Sequence, residues 1–112
     1  MSATFRNETP RQKIGPGRER YLAYTAHLMM TVIDFSDGPM QQPDPPHHHP
    51  HEQITYVAEG QVRFFLGDDT YDLSVGDMIA VPPNIPHSIQ LLSPHARLVD
   101  SFSPVREDFL DG

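Results

Sequence analysis

Apolar residues along this chain recur with a period of two, in short runs cut by turn residues. Such alternation marks half-buried strands, because successive side chains on a strand point to opposite faces. The run "RYLAYTAHLMMTVIDF", Arg20 to Phe35, is long enough for two strands, and "SDGPMQQPDPP", Ser36 to Pro46, reads as a loop. "QITYVAEG" and "QVRFFLG" meet at Glu59-Gly60, which predicts a hairpin there. "DDTYDL" predicts a short strand after a Gly67-Asp68 turn, and "SVGD" a further turn. "MIAVPPNIPHSIQLL" reads as strand, proline loop, strand, and "ARLVDSFSP" as the last strand. Six to nine short strands at this spacing predict an all-β sandwich or small barrel.

The flanks are polar. The first 17 residues end in "GPG" and read as a loosely held arm. "VREDFLDG" reads as a tail with one helical turn, its Glu107, Asp108 and Asp111 solvated. The expected division is an arm over 1–19, a barrel over 20–105 and a tail over 106–112. A length of 112 residues suits one domain whose small core gains from association. The expected assembly is a homodimer through the first strands, near Tyr21 to Met30. Arg18 and Arg20 flank Glu19 and read as a solvated strand start or a dimer surface. His27 and His95 read as strand-end and turn residues. Of Met29 and Met30, one should face the core.

The net charge of −7 excludes the basic footprint that nucleic acid needs. No run approaches membrane-spanning length, and "MSATFRNETPRQK" has no apolar signal-peptide core, so a cytoplasmic location is expected. The chain has no cysteine, so any metal must bind through imidazole and oxygen.

Candidate metal chemistry lies in "PPHHHPHEQITYVAEG", Pro45 to Gly60. In an extended segment His47, His49 and His51 share one face, Gln53 continues it, and His48 faces away. The same segment also fits a solvated, proline-bounded loop. His87 closes "GDMIAVPPNIPH", where three prolines brace the turn before it.

Together these segments resemble the two motifs of a small single-domain cupin. The first motif runs G, five residues, HxH, three or four residues, E, six residues, G. The second runs G, five residues, PxG, two residues, H. Counting back from Gly60 puts Gln53 at the glutamate position and His47 and His49 in the HxH pair. Gly76, Pro82 and His87 match the second motif, with Asn84 in place of its glycine. The resemblance implies a double-stranded β-helix (jelly-roll barrel) and one divalent transition metal, Zn, Ni, Fe, Co or Mn, on His47, His49, Gln53 and His87. Two departures stand out. Gln53 makes the ligand set neutral, and eight residues rather than five separate Gly38 from His47. His48 and His51 are left over, as solvated or supporting residues.

On the last strand Leu98, Asp100 and Phe102 share a face, which would put a carboxylate inside an apolar cup. Arg106 follows and can hold a substrate carboxylate or pair with Glu107 or Asp108. "HxHPHEQ", "PPNIPH" and "DxFxPxRxDFL" resemble the pectin-degradation cupins that linearise 4,5-unsaturated uronates. That resemblance implies a small anionic sugar substrate and pocket roles for Asp100, Phe102 and Arg106. Two other expectations stand beside it: a cupin dioxygenase, and a cupin that binds a sugar or effector without turnover.

Overall fold

The computed structural model of the protein describes residues 3–110. Among the described residues nine strands form two antiparallel sheets. They are β1 (Gln12–Gly15), β2 (Arg18–Tyr24), β3 (Met29–Phe35), β4 (Glu52–Glu59), β5 (Val62–Leu66), β6 (Asp69–Leu73), β7 (Met78–Val81), β8 (His87–Leu91) and β9 (Ala96–Ser103). One sheet has the order β1-β2-β3-β9-β4-β7 and the other β6-β5-β8. The 3-10 turn Glu107–Phe109 matches the helical turn expected in the tail, and Asp111 lies outside the described residues. The architecture is the expected all-β jelly roll.

Two local expectations need correction. Residues 12–15 of the supposed arm form β1, which pairs with β2. The "GPG" segment is the turn between them, and Gly17 takes φ +69, where glycine is at ease. Strand β2 accordingly starts at Arg18, not Arg20. Nor do β4 and β5 form a hairpin: β4 pairs with β7 and β9, β5 with β6 and β8. Gly60 is the corner that carries the chain from one sheet to the other. Its φ is +81, and a Cβ there would lie 2.2 Å from the His95 carbonyl oxygen. The hairpin signature and the inter-sheet corner use the same residue, so local pattern does not separate them.

Loop 36–46 runs along β8. Backbone amides of Met40, Asp44 and His47 donate to the carbonyls of Leu91, Ile89 and His87. The extra residues before His47 thus act as a ragged fourth strand of the smaller sheet.

The inward faces are divided along their length. Strand β4 points Gln53, Thr55 and Val57 inward, and β9 points Ala96, Leu98, Asp100 and Phe102 inward. At one end Val57, Val62, Phe64, Leu91, Ala96 and Leu98 belong to a continuous apolar core. Burying one such leucine or phenylalanine is worth about 1.5–3 kcal/mol. Toward the other end the same strands turn polar, with His87, Gln53, Thr55 and Asp100 all buried. Polar groups at inward positions cost stability unless they are paired, so this end is where function is to be sought.

Candidate metal centre and cavity

His47 and His87 exchange both backbone hydrogen bonds, at 3.0 and 2.9 Å. Residues paired this way present their side chains on the same face, and the ring centroids lie 4.3 Å apart. His49 reaches the same point: its carbonyl accepts from the Asn84 amide at 2.8 Å, and its ring centroid is 4.8 Å from that of His87. The ligand atoms of His47, His49 and His87 lie within 4.8 Å of one another. This three-histidine cluster can hold a metal ion.

The hydrogen bonds determine which ring atoms are free. His87 Nδ1 donates to the Ile85 carbonyl at 2.9 Å, leaving Nε2 buried and unpartnered. His49 Nδ1 donates to the His51 carbonyl at 3.0 Å, which leaves Nε2 as the ring atom turned to the site. That Nε2 faces Gln53 Oε1 at 2.9 Å. Two acceptors in contact and one orphaned lone pair form a donor set that a cation satisfies, so the residues fit the group. Both partner carbonyls also fix the rings in the tautomer a metal needs. Burial pushes His87 below its ordinary range. His47, at the mouth, is pushed down to about 4, first by desolvation and then by His87, His49 and Arg106. Neutral rings are the ligating form.

The amide oxygen of Gln53 is aimed by a chain of donors. Gln53 Nε2 donates to Thr55 Oγ1 at 2.9 Å, and Thr55 Oγ1 donates to Asp100 Oδ1 at 2.6 Å. The register creates this chain, since Thr55 lies directly opposite Asp100 in the β4–β9 pair. Asp100 is buried, and desolvation raises its carboxyl to about 6, against the Thr55 hydrogen bond and the charge of Arg106. Asp100, Phe102, Arg106, Gln53, His47 and His87 line one cavity of about 270 Å³.

Residues 37–100 match the cupin domain family model. The chain is a cupin. Over 105 residues it is 33% identical to the pectin degradation protein KdgF of Dickeya dadantii (strain 3937), covering 93% of this chain and 94% of that one. KdgF from Halomonas sp. superposes with a TM-score of 0.87 at 33% identity, covering 96% of this chain and 99% of that one. An RmlC-like cupin from Shewanella frigidimarina NCIMB 400 gives 0.85, also at 33% identity, covering 95% and 93%.

The departures from the cupin motifs now have physical readings. Asn84 takes φ +65, and asparagine is among the few residues other than glycine that visit this region readily. His48 is exposed. His51 gives its carbonyl to the His49 ring, and its own side chain lies outside the three-histidine group. Arg106 forms the expected pair with Asp108, at 3.1 and 2.8 Å, and lines the cavity as well.

Thr55, Arg18 and Arg20 are among the residues of this cupin's cavity that were not foreseen. Thr55 reads in sequence as an ordinary strand residue, although its parity with Gln53 was a signal. Arg18 and Arg20, expected as a solvated strand start or a dimer surface, line the cavity. Their signal lay in β2 pairing: Arg18 lies opposite Phe35 and Arg20 opposite Ile33, two inward positions of β3. His27 and His95 are exposed, while Met29 is buried and Met30 exposed.

Proposed function

We propose that this cupin linearises 4,5-unsaturated uronates, the sugar acids that lyases release from pectin or alginate, to their keto acids. The observation that carries the reading is a buried carboxylate, Asp100, lining the same cavity as His47 and His87 of the three-histidine cluster. The likeness to pectin degradation proteins supports it.

The substrate is a cyclic hemiacetal whose ring oxygen is also an enol-ether oxygen. Asp100 takes the proton of the anomeric hydroxyl. The C1 carbonyl forms, the bond from C1 to the ring oxygen breaks, and that oxygen keeps the electron pair. A proton then returns to C4 and C5 becomes a ketone. One proton leaves and one enters, so the reaction is an isomerisation that needs no oxidant or reductant. A divalent ion on His47, His49, Gln53 and His87 would supply Lewis-acid stabilisation of the negative charge gathering on the substrate oxygens.

Thr55 holds the Asp100 carboxylate toward the cavity. A carboxyl raised to about 6 suits a base working near neutrality. Phe102 packs against His49 at 5.9 Å between ring centroids and keeps water from that side. Arg106, its guanidinium carbon 5.3 Å from the Phe102 ring, places positive charge at the mouth toward the substrate carboxylate.

Loss of the unsaturated uronate's ultraviolet absorbance on adding metal-loaded protein, without oxygen uptake, is the expected result. Oxygen consumption on Fe(II) loading would favour a dioxygenase instead. Saturable binding without turnover would favour a binding protein.

A further inference from the structure

Three guanidinium groups line the cavity of an otherwise acidic chain, and they are not equivalent. Arg18 is saturated: Nε reaches Asp37 at 3.0 Å, while Nη1 and Nη2 reach Asp44 at 2.7 and 3.2 Å. Arg106 has its fork closed by Asp108 through Nε and Nη2. Arg20 differs. Among the described residues its hydrogen bond is one, Nε donating to Gln12 Oε1 at 2.8 Å, and no carboxylate lies within ion-pairing distance.

The group is nonetheless held still. Gln12 is itself tied down, its Nε2 donating to the Phe109 carbonyl at 3.2 Å. The Arg20 guanidinium carbon sits 3.7 Å from the centroid of the Phe109 ring, and that of Arg106 sits 4.3 Å from the same ring. Phe109 packs against the Arg20 guanidinium and Gln12 occupies its Nε, which leaves both Nη groups without a partner among the described residues. Burial works against the Arg20 charge, the more distant Asp108 favours it, and the neighbouring Arg106 opposes it, with a net lowering. A half-buried cation with no ion-paired carboxylate among the described residues is costly to keep unless an anion arrives to meet it.

We propose that Arg20, oriented by Gln12 and Phe109, is a carboxylate-binding residue of the cavity and grips the anionic end of the substrate through its two Nη groups. Naming that substrate a uronate rests on the functional reading above. The planar fork matches a carboxylate in two parallel hydrogen bonds, which an ammonium does not reproduce. Arg20 then distinguishes a uronic acid from its neutral counterparts, and the charge of Arg106 acts behind it.

The test compares the unsaturated uronate with its methyl ester in the metal-loaded wild type, Arg20→Met, Arg20→Lys and Arg106→Met. Arg20→Met should raise KM for the acid roughly 10- to 100-fold, the scale of a lost charge-assisted pair. It should leave KM for the ester and the metal content unchanged. Arg20→Lys should recover only part of the loss. Calorimetric titration with galacturonate and with galactose gives the same comparison without turnover: the wild type should prefer the acid and Arg20→Met should not.

Equal effects on acid and ester, or discrimination carried wholly by Arg106, would overturn the assignment. If the wild type opens no uronate, the functional reading fails, and the galacturonate titration decides Arg20 by itself.

Discussion

The hydroxyl of Thr55 donates to Oδ1 of Asp100 at 2.6 Å, and the hydroxyl oxygen itself accepts from the amide of Gln53. One small side chain thus links the proposed base to a proposed metal ligand. Replacing it with valine keeps the volume and removes both hydrogen bonds. Thr55→Val should lower turnover by roughly 10-fold or more and weaken metal binding by about 10- to 100-fold, the usual range for groups that orient ligands. Thr55→Ser keeps the hydroxyl and should retain most of both. Metal titration of the two variants beside their kinetics checks this.

Asp100 also sets a pH signature. Its carboxyl is raised to about 6 in the folded protein, so folding favours the protonated form. Stability from this group is present below the ordinary carboxylate range, near pH 4, and is lost as pH rises through about 6. The loss amounts to about 3 kcal/mol. His47 and His87 run the other way: their depressed values favour the neutral folded form, so they add stability as pH rises over much the same window. The metal-free wild type should therefore show a shallow curve. The difference between Asp100→Asn and wild type should grow in the variant's favour from pH 4 to 7, as read from denaturant melts. Turnover should rise with pH through about 6, because the base must be ionised.

Much of this site was legible from period-two parity. Alternation put Leu98, Asp100 and Phe102 on one face, and motif spacing grouped His47, His49, Gln53 and His87. Parity works there because those strands have one face inside the barrel, where a slip of one residue would bury the wrong set. What parity does not encode is which strands pair. For that reason the Gly60 corner read as a hairpin and β1 as an arm. For the same reason Arg20, whose place depends on β2 lying against β3, read as surface.

The metal centre predicts a simple pattern of substitutions. His49→Ala and His87→Ala should each largely strip a single bound divalent ion, while His48→Ala should leave it in place. His51→Ala should also leave it, since His51 contributes a backbone carbonyl that any residue supplies. Loading should stabilise the fold by about 2.7 kcal/mol at a free metal concentration roughly 100 times Kd. Elemental analysis and melts with and without chelator read both effects.

The outer face beside the β2–β3 turn is apolar, with Tyr24, Leu28 and Met30 each more than half exposed. Ile54 and Met78 extend it across the sheet. We propose that a second copy covers this face, as the apolar first strands suggest. Sedimentation should give a dimer at micromolar concentration, and Met30→Lys should shift it toward monomer with the fold intact.

The account rests most heavily on Asp100 as the base that opens the ring, and Asp100→Asn tests it most directly. The asparagine keeps the shape and still accepts from Thr55, so fold and metal should persist. With metal content confirmed equal, turnover of the unsaturated uronate should fall by about 10²-fold or more, the scale of a positioned general base, and KM should change little. Full ring-opening activity in that variant would contradict the account, however well the metal were bound.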